Sequence, residues 1–320
     1  MPIDKPYVLG LDVGGTNSVV GVVDARGHVL GRTSIKTKDY PVFANYVEAL
    51  CAEIEKVVEP LGGMEKVRGL GGGVPNACYY TGMVDQAANL PWSHVPFAQA
   101  ISDKLNVPVS ITNDANAAAM GEMMYGVAKG MKNFITITLG TGVGSGIVID
   151  GKVVYGHDGF AGELGHTTVV RGETGRLCGC GRKGCLEAYA SATGVARTAK
   201  EILETTTKAT ILRDLKESEI TSKDVYDAAM QGDEVAKEIF NYTGTILGES
   251  FANFILFSAP EAIVIFGGLS KAGELLLDPI RKAMNANVMY FWKDKVKLLL
   301  SDLKEADAAI LGASALAWEL

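Results

Sequence analysis

The chain has 320 residues, enough for two domains of ordinary size, and 48% of them are hydrophobic with no low-complexity tract. Acidic residues outnumber basic ones by 37 to 30, and the resulting net charge of −7 argues against a general nucleic-acid surface. The most apolar stretch, residues 250–260, is too short to span a membrane and ends in proline.

Residues 7–11 read as a short apolar strand running into the turn Asp12-Val-Gly14-Gly15-Thr16-Asn17. A second strand covers 19–23, Ala25-Arg-Gly27 turns the chain, and a third strand covers 28–35. Residues 41–58 carry apolar side chains at helical spacing, and Cys51 lies on that stripe as an ordinary buried thiol. Residues 107–111 form a strand, and Thr112-Asn113-Asp114 lead into a small-residue helix over 115–128. The opening pattern then returns, with a strand at 134–139, a glycine-rich turn at 140–146 and a strand at 147–149. Asp150-Gly151 makes a hairpin turn into a strand at 152–155. Helices are expected at 194–204, 222–231 and 233–257, then a strand at 264–266 and a break at Gly267-Gly268. A helix at 272–284, a strand at 295–300 and an alanine-rich helix at 306–320 complete the chain. The alternation gives an α/β protein, the hairpins opening each half give mixed sheets, and the repeat at domain scale indicates a duplicated fold.

Both glycine turns lead back into a strand, whereas a dinucleotide-binding turn leads into a helix, and no Gly-Lys-Ser/Thr of a Walker A loop occurs. Either turn alone could be a bare hairpin. Two similar turns, one per half, point to a shared phosphate clamp made by backbone N–H groups. Gly14, Gly15 and Thr16 belong to one turn, Thr141 and Gly142 to the other, and Asp12 offers a carboxylate suited to Mg²⁺. Gly267-Gly268 is a third place where backbone can approach a ligand, or equally a packing feature.

His166, Cys178, Cys180 and Cys185 supply a full tetrahedral set for zinc, which leaves no open position and makes the metal structural. A disulfide reading needs an oxidising compartment, and the opening MPIDKPYVLG has no basic, apolar or cleavage segment of a secretory leader, so a reducing cytoplasmic setting is expected. Glu163 and Glu187 flank the cluster and are the first candidates for the chemistry beside it, against a plain solvated face. Asp114, at a strand-to-helix junction, suits either a proton acceptor or a helix cap. With Glu163 and Glu187 it could also be read as a glycosidase carboxylate set, which leaves the two phosphate turns without a purpose.

Taken together, Asp12-Val-Gly-Gly-Thr, Asn113-Asp114-Ala-Asn116, the run from Leu139 to Gly146 and the Gly165-His166 to Glu187 cysteine block resemble the ROK family of repressors, open reading frames and sugar kinases. The likeness covers nearly the whole chain and is most specific in the cysteine block. It implies two actin-like, ribonuclease-H-like domains around a central cleft, with mixed sheets flanked by helices. The expected division is 1–115 plus 306–320 for the first domain and 116–305, with the zinc loop, for the second. It implies Mg-ATP and a hexose phosphorylated at the 6-hydroxyl. In that pattern Asp114 matches the general base and a substrate contact. Asn113, Glu163, His166 and Glu187 match sugar contacts, with His166 also a zinc ligand. Asp12 matches the metal-facing aspartate, Thr16 and Gly142 the phosphate side, and Gly267-Gly268 the adenosine motif.

The full pattern is most similar to the glucokinases, so glucose is the first expectation, with N-acetylglucosamine, N-acetylmannosamine, mannose, fructose and allose as alternatives. One departure is Asn76, after Gly71-Gly-Gly-Val-Pro75, where many relatives carry glycine; asparagine tolerates the left-handed conformation. A homo-oligomer, dimer or tetramer, follows from the likeness, with no nucleic-acid or membrane partner. A family repressor would carry a DNA-binding domain before the first strand, for which the six residues preceding Tyr7 leave no room. An actin-like filament or chaperone ATPase would lack the cysteine block, and a non-catalytic sugar sensor would not need Asp114.

Overall fold

The computed structural model describes residues 5–87 and 89–320, with the backbone alone for Glu217, Glu305 and Ala306. The opening residues 1–4, on which the leaderless reading partly rests, lie outside the described residues. The chain divides into two compact units. The first runs to Met131 and takes in Gly146–Gly162 and Asp302–Leu320; the second holds Lys132–Ser145 and Glu163–Ser301.

In the first unit β1 (Tyr7–Val13), β2 (Ser18–Asp24), β3 (Val29–Ile35), β4 (Val67–Gly73) and β5 (Val109–Thr112) form one sheet in the order β3-β2-β1-β4-β5. The first three strands pair antiparallel, and β4 and β5 join parallel to β1. Two helices cover one face, α1 (Phe43–Val58) and α2 (Phe97–Leu105). Tyr46, Leu50, Ile54 and Val58 recur every four positions on α1 with Val47 beside them, so one stripe enters the core beside Leu9, Leu11, Val20 and Val22. After β5 comes α3 (Asp114–Met124), which ends four residues earlier than the sequence suggests; the Glu122 carboxylate there accepts the Val127 N–H and turns the chain.

The last helix of the chain, α9 (Glu305–Ala317), packs on β1, β4 and α3. It lies so close to the sheet that a Cβ on Gly10 would sit 2.0 Å from the Ile310 carbonyl, and one on Gly71 1.9 Å from that of Ala313. This explains β4, whose Val-Arg-Gly-Leu-Gly-Gly-Gly reads as a turn region by composition. Gly71 is the point where the α9 backbone rests on the strand, and Gly73 faces α3 at Ala117.

The second sheet comprises β6 (Phe134–Leu139), β7 (Val143–Ile149), β8 (Lys152–Val153), β9 (Ala262–Phe266) and β10 (Lys297–Leu300), in the order β10-β9-β6-β7-β8. It repeats the first: a hairpin on one side of the leading strand, parallel strands on the other. The duplication read from the sequence is therefore present in the strand order, and the α/β fold with mixed sheets is as expected. One detail differs. The glycine turn spans only 140–142, because Val143 is already in strand register and residues 143–146 belong to β7. The remaining helices are α4 (Glu187–Ala190), α5 (Ala192–Thr205), α6 (Ser222–Met230), α7 (Glu234–Ser258) and α8 (Glu274–Asn287). Gly244 and Gly248 of α7 let α8 approach at Pro279 and Ile280. Among the described residues no helix is long and apolar enough to cross a membrane.

Candidate active site and metal centre

The expected residues form one group in each unit. In the first, β1 delivers Asp12 to the mouth of the turn, which the Gly14 N–H closes on the Asn17 carbonyl at 2.9 Å. Gly15 lies against the Asn89 carbonyl, where a Cβ would come within 2.5 Å, and Thr16 is exposed. Asp12 is half-buried. Burial, and then the negative charge of Asp114, push its carboxyl up to about 6.

Asn113 caps α3, its Oδ1 accepting the Asn116 N–H at 2.7 Å. The capping role open to Asp114 in the sequence is thus filled one residue earlier. Asp114 is the first helical residue, and its Oδ1 accepts the adjacent Ala115 N–H at 2.9 Å. Its side chain reaches solvent, yet protein crowds around it, and this desolvation lifts the carboxyl above the usual carboxylate range; the accessible surface keeps that lift smaller than full burial would. Asn76 adopts φ 53, the left-handed conformation its identity allows, and its amide donates to the Gln86 carbonyl at 3.1 Å.

In the second unit the turn at 140–142 is tied to the start of α5. The Ala192 N–H donates to the Gly140 carbonyl at 2.9 Å and the Thr193 hydroxyl to the Thr141 carbonyl at 2.8 Å. Thr141 itself is exposed. Glu187, first residue of α4, accepts the Val143 N–H on its Oε2 at 3.1 Å. Gly142 leaves the room for this: a Cβ there would lie 2.2 Å from that oxygen. After β9, Gly267 sits at φ 104 against the Leu139 carbonyl, while Gly268 faces open space.

His166, Cys178, Cys180 and Cys185 converge, their ligand atoms all within 4.8 Å of one another. Cys180 and Cys185 hold their sulfurs 3.7 Å apart, too far for a disulfide. Zinc–sulfur bonds of about 2.3 Å at a tetrahedral angle place two sulfurs at roughly this spacing, so the donor set fits a closed zinc site. The loop reaches this shape through Gly181 and Gly184, both at positive φ; a side chain at 184 would strike the Val170 carbonyl at 1.8 Å. His166 offers Nδ1 to Cys178 Sγ at 3.6 Å and turns Nε2 toward Glu163, whose carboxylate is 3.9 Å away.

The ROK family profile matches residues 8–319. The chain belongs to the ROK family. Among its ROK relatives, a glucokinase of Halalkalibacterium halodurans is 37% identical over 315 residues, covering 97% of this chain and 94% of its own. A glucokinase of Streptomyces coelicolor is 35% identical over 317 residues, covering 97% of each. The solved structure of a ROK family glucokinase from Streptomyces griseus, in complex with glucose and AMPPNP, superposes with a TM-score of 0.79 at 36% identity, covering 98% of this chain and 100% of that one. The two mixed sheets are those of the actin-like ROK fold, as the sequence motifs led one to expect.

Three features of this chain escaped the sequence reading. The Val143 amide that holds Glu187 carries no side-chain signal. Ser145 lay inside what read as a turn. Arg176, almost wholly buried, pairs with Glu201, donates to the Ala188 carbonyl and the Thr198 hydroxyl, and covers the Tyr189 ring at 4.4 Å. It fastens the cysteine loop to α5, and its position two residues before Cys178 was the available clue.

Proposed function

We propose that the protein is an ATP-dependent glucokinase that transfers the terminal phosphoryl group of ATP to the 6-hydroxyl of glucose, with Asp114 as general base. The observation that carries this reading is the carboxyl pair at the ends of β1 and β5, with Asp12 and Asp114 each lifted above the usual range. A carboxylate nearer neutrality is a better acceptor for a hydroxyl proton. Family membership and the glucokinase relatives support the choice of reaction and sugar.

Phosphoryl transfer asks the protein mostly for position and charge neutralisation. The backbone N–H groups at Gly15 and Thr16, in the turn that Gly14 closes, and at Thr141 and Gly142 are the proposed phosphate contacts, with Gly267 and Gly268 beside the nucleoside. Asp12 would hold Mg²⁺, which supplies positive charge to the phosphates. Asn113, Glu163, His166 and Glu187 would orient the hexose, and Asp114 takes the proton of its attacking hydroxyl. Zinc on His166, Cys178, Cys180 and Cys185 would fix the loop that carries the sugar-side groups. The same reading carries a domain division at 115/116 with residues 306–320 returning to the first domain, a homo-oligomer and a cytoplasmic location.

The test is ADP release with Mg-ATP over a panel of hexoses and N-acetylhexosamines. Turnover with glucose at the highest kcat/KM supports the assignment. A higher value for another sugar changes the substrate, and no turnover on any of them removes the kinase reading.

A further inference from the structure

The turn from Glu163 to His166 is tied to β7 by Ser145, a residue of the Leu139–Gly146 run to which the kinase reading gives no role. Ser145 lies on β7, two residues beyond the amide that binds Glu187, and only 2% of its surface is exposed. Its Oγ accepts the Leu164 N–H at 3.1 Å. That N–H belongs to the peptide unit joining Glu163 to Leu164. The carbonyl of the same unit accepts the His166 N–H at 3.1 Å. One peptide plane therefore carries the Glu163 side chain on one side and, through its carbonyl, the start of His166 on the other.

The turn has no slack on the strand side. A Cβ on Gly165 would lie 1.9 Å from the Val143 carbonyl, so backbone rests directly on backbone. Farther along, the Thr167 hydroxyl donates to the Leu164 carbonyl at 2.7 Å, and the Leu186 N–H to the Thr167 carbonyl at 2.9 Å. His166 is also fixed from outside the turn, by its Nδ1 among the thiols. Glu163 is not among the four converging donors, and its peptide plane is held by the Ser145 hydroxyl on one edge and the His166 N–H on the other.

We propose that Ser145 is a positioning residue for the sugar, acting through Glu163 by holding the Glu163–Leu164 peptide against β7. The inference rests on the sugar-kinase reading and adds to it the source of Glu163's orientation. Removing the hydroxyl leaves the Leu164 N–H without its acceptor and takes away one of the two holds on the peptide plane, which shifts the Glu163 carboxylate, while zinc on Nδ1 would keep His166 in place. The loss falls on sugar binding rather than on chemistry at Asp114.

The test compares full-length wild type with Ser145→Ala in the coupled ADP assay, with zinc content and Tm measured on the same samples. The expected result is a sugar KM raised about 2–10-fold, the effect of one lost hydrogen bond, with kcat, the ATP KM and zinc content unchanged. Ser145→Thr, which keeps a hydroxyl, is expected to restore the sugar KM. Adding Ser145→Ala to Glu163→Gln is expected to cost little more, because both changes remove one contact. An unchanged sugar KM in Ser145→Ala overturns the inference, as does full additivity with Glu163→Gln. If Ser145→Ala fails to fold, Ser145→Gly against Ser145→Thr makes the same comparison, and no difference in sugar KM between them overturns it equally. A wild type inactive on every sugar refutes the kinase reading instead, which separates the two failures.

Discussion

Glu187 holds the Val143 N–H at 3.1 Å across 44 residues of chain, so a carboxylate assigned to the sugar is anchored to the strand that leaves the phosphate-side turn. Only the missing side chain of Gly142 permits this. Gly142→Ala is expected to push the carboxylate off the amide and to raise the sugar KM roughly tenfold, the cost of one hydrogen bond to a charged group. Steady-state kinetics with varied sugar check this; an unchanged KM would show that Glu187 moves without consequence.

Asp114 is the group on which the chemistry is placed. Asp114→Asn keeps the shape and the bond to the Ala115 N–H but loses the proton acceptor. Turnover is expected to fall about 10²–10⁴-fold while calorimetry still detects sugar binding. Retention of more than about a tenth of the rate would assign the base elsewhere.

The carboxyl pair also sets a pH dependence. Asp12 has a folded value of about 6 against an ordinary value of 3.8, so the folded chain binds this proton more tightly than the unfolded one. The metal-free fold therefore loses stability as pH rises from about 4 to 6, and the full penalty stands at neutrality. Asp12→Asn is expected to stabilise the metal-free protein at pH 7 by about 1 kcal/mol after solvent screening, roughly 2–4 °C in Tm, while abolishing Mg²⁺-dependent turnover. With Mg²⁺ on Asp12 as proposed, the ion would compete with the same proton, so its affinity for wild type should fall as pH drops through about 6. Melting curves and Mg²⁺ titrations at pH 5 and pH 7.5 provide the check.

For the cysteine cluster, elemental analysis is expected to find one zinc per chain, and Cys180→Ser to lose it together with much of the thermal stability. Sugar affinity should fall in parallel, because the loop carrying Glu163, His166 and Glu187 is ordered by the same centre. A Cys180→Ser protein with wild-type Tm and sugar affinity would make the cluster dispensable.

One substitution at two glycines should separate packing from ligand approach. Gly71→Ala places a methyl 1.9 Å from the Ala313 carbonyl, so α9 must move off the sheet; a loss of about 2 kcal/mol or more is expected, read by denaturant melts. Gly268→Ala meets nothing within 4 Å and should leave stability unchanged while raising the ATP KM. The reverse pattern would mean that Gly268, not Gly71, is the packing position.

The parts of the site that could be read in the sequence are those made by side chains close together along the chain. Cys178, Cys180 and Cys185 stand out as candidate ligands because three thiols fall within eight positions, and Asp12 and Asp114 stand out at the ends of apolar runs. The strands 7–11 and 134–139 were legible because β-branched and aliphatic residues fill them. β4 was not, since Gly71 answers to a helix from the far end of the chain, and that contact has no local trace. The same holds for Ser145 and Val143, whose partners are 19 and 44 residues away. The turn at 140–142 was overestimated because the glycines of β7 look like loop residues. Gly146 is instead where the strand passes Ala119 of α3, with a Cβ only 2.5 Å from that side chain.

The imidazole of His166 has its two nitrogens on different sides, Nδ1 among the thiols and Nε2 toward Glu163. With zinc on the first nitrogen and a sugar hydroxyl on the second, each occupant stabilises the ring orientation the other requires. The coupling is reciprocal by thermodynamic necessity. Sugar should therefore slow the stripping of zinc by a chelator, and by the same factor a shortage of zinc should weaken the hold on sugar. Cellular metal supply would then set how much hexose the protein can capture.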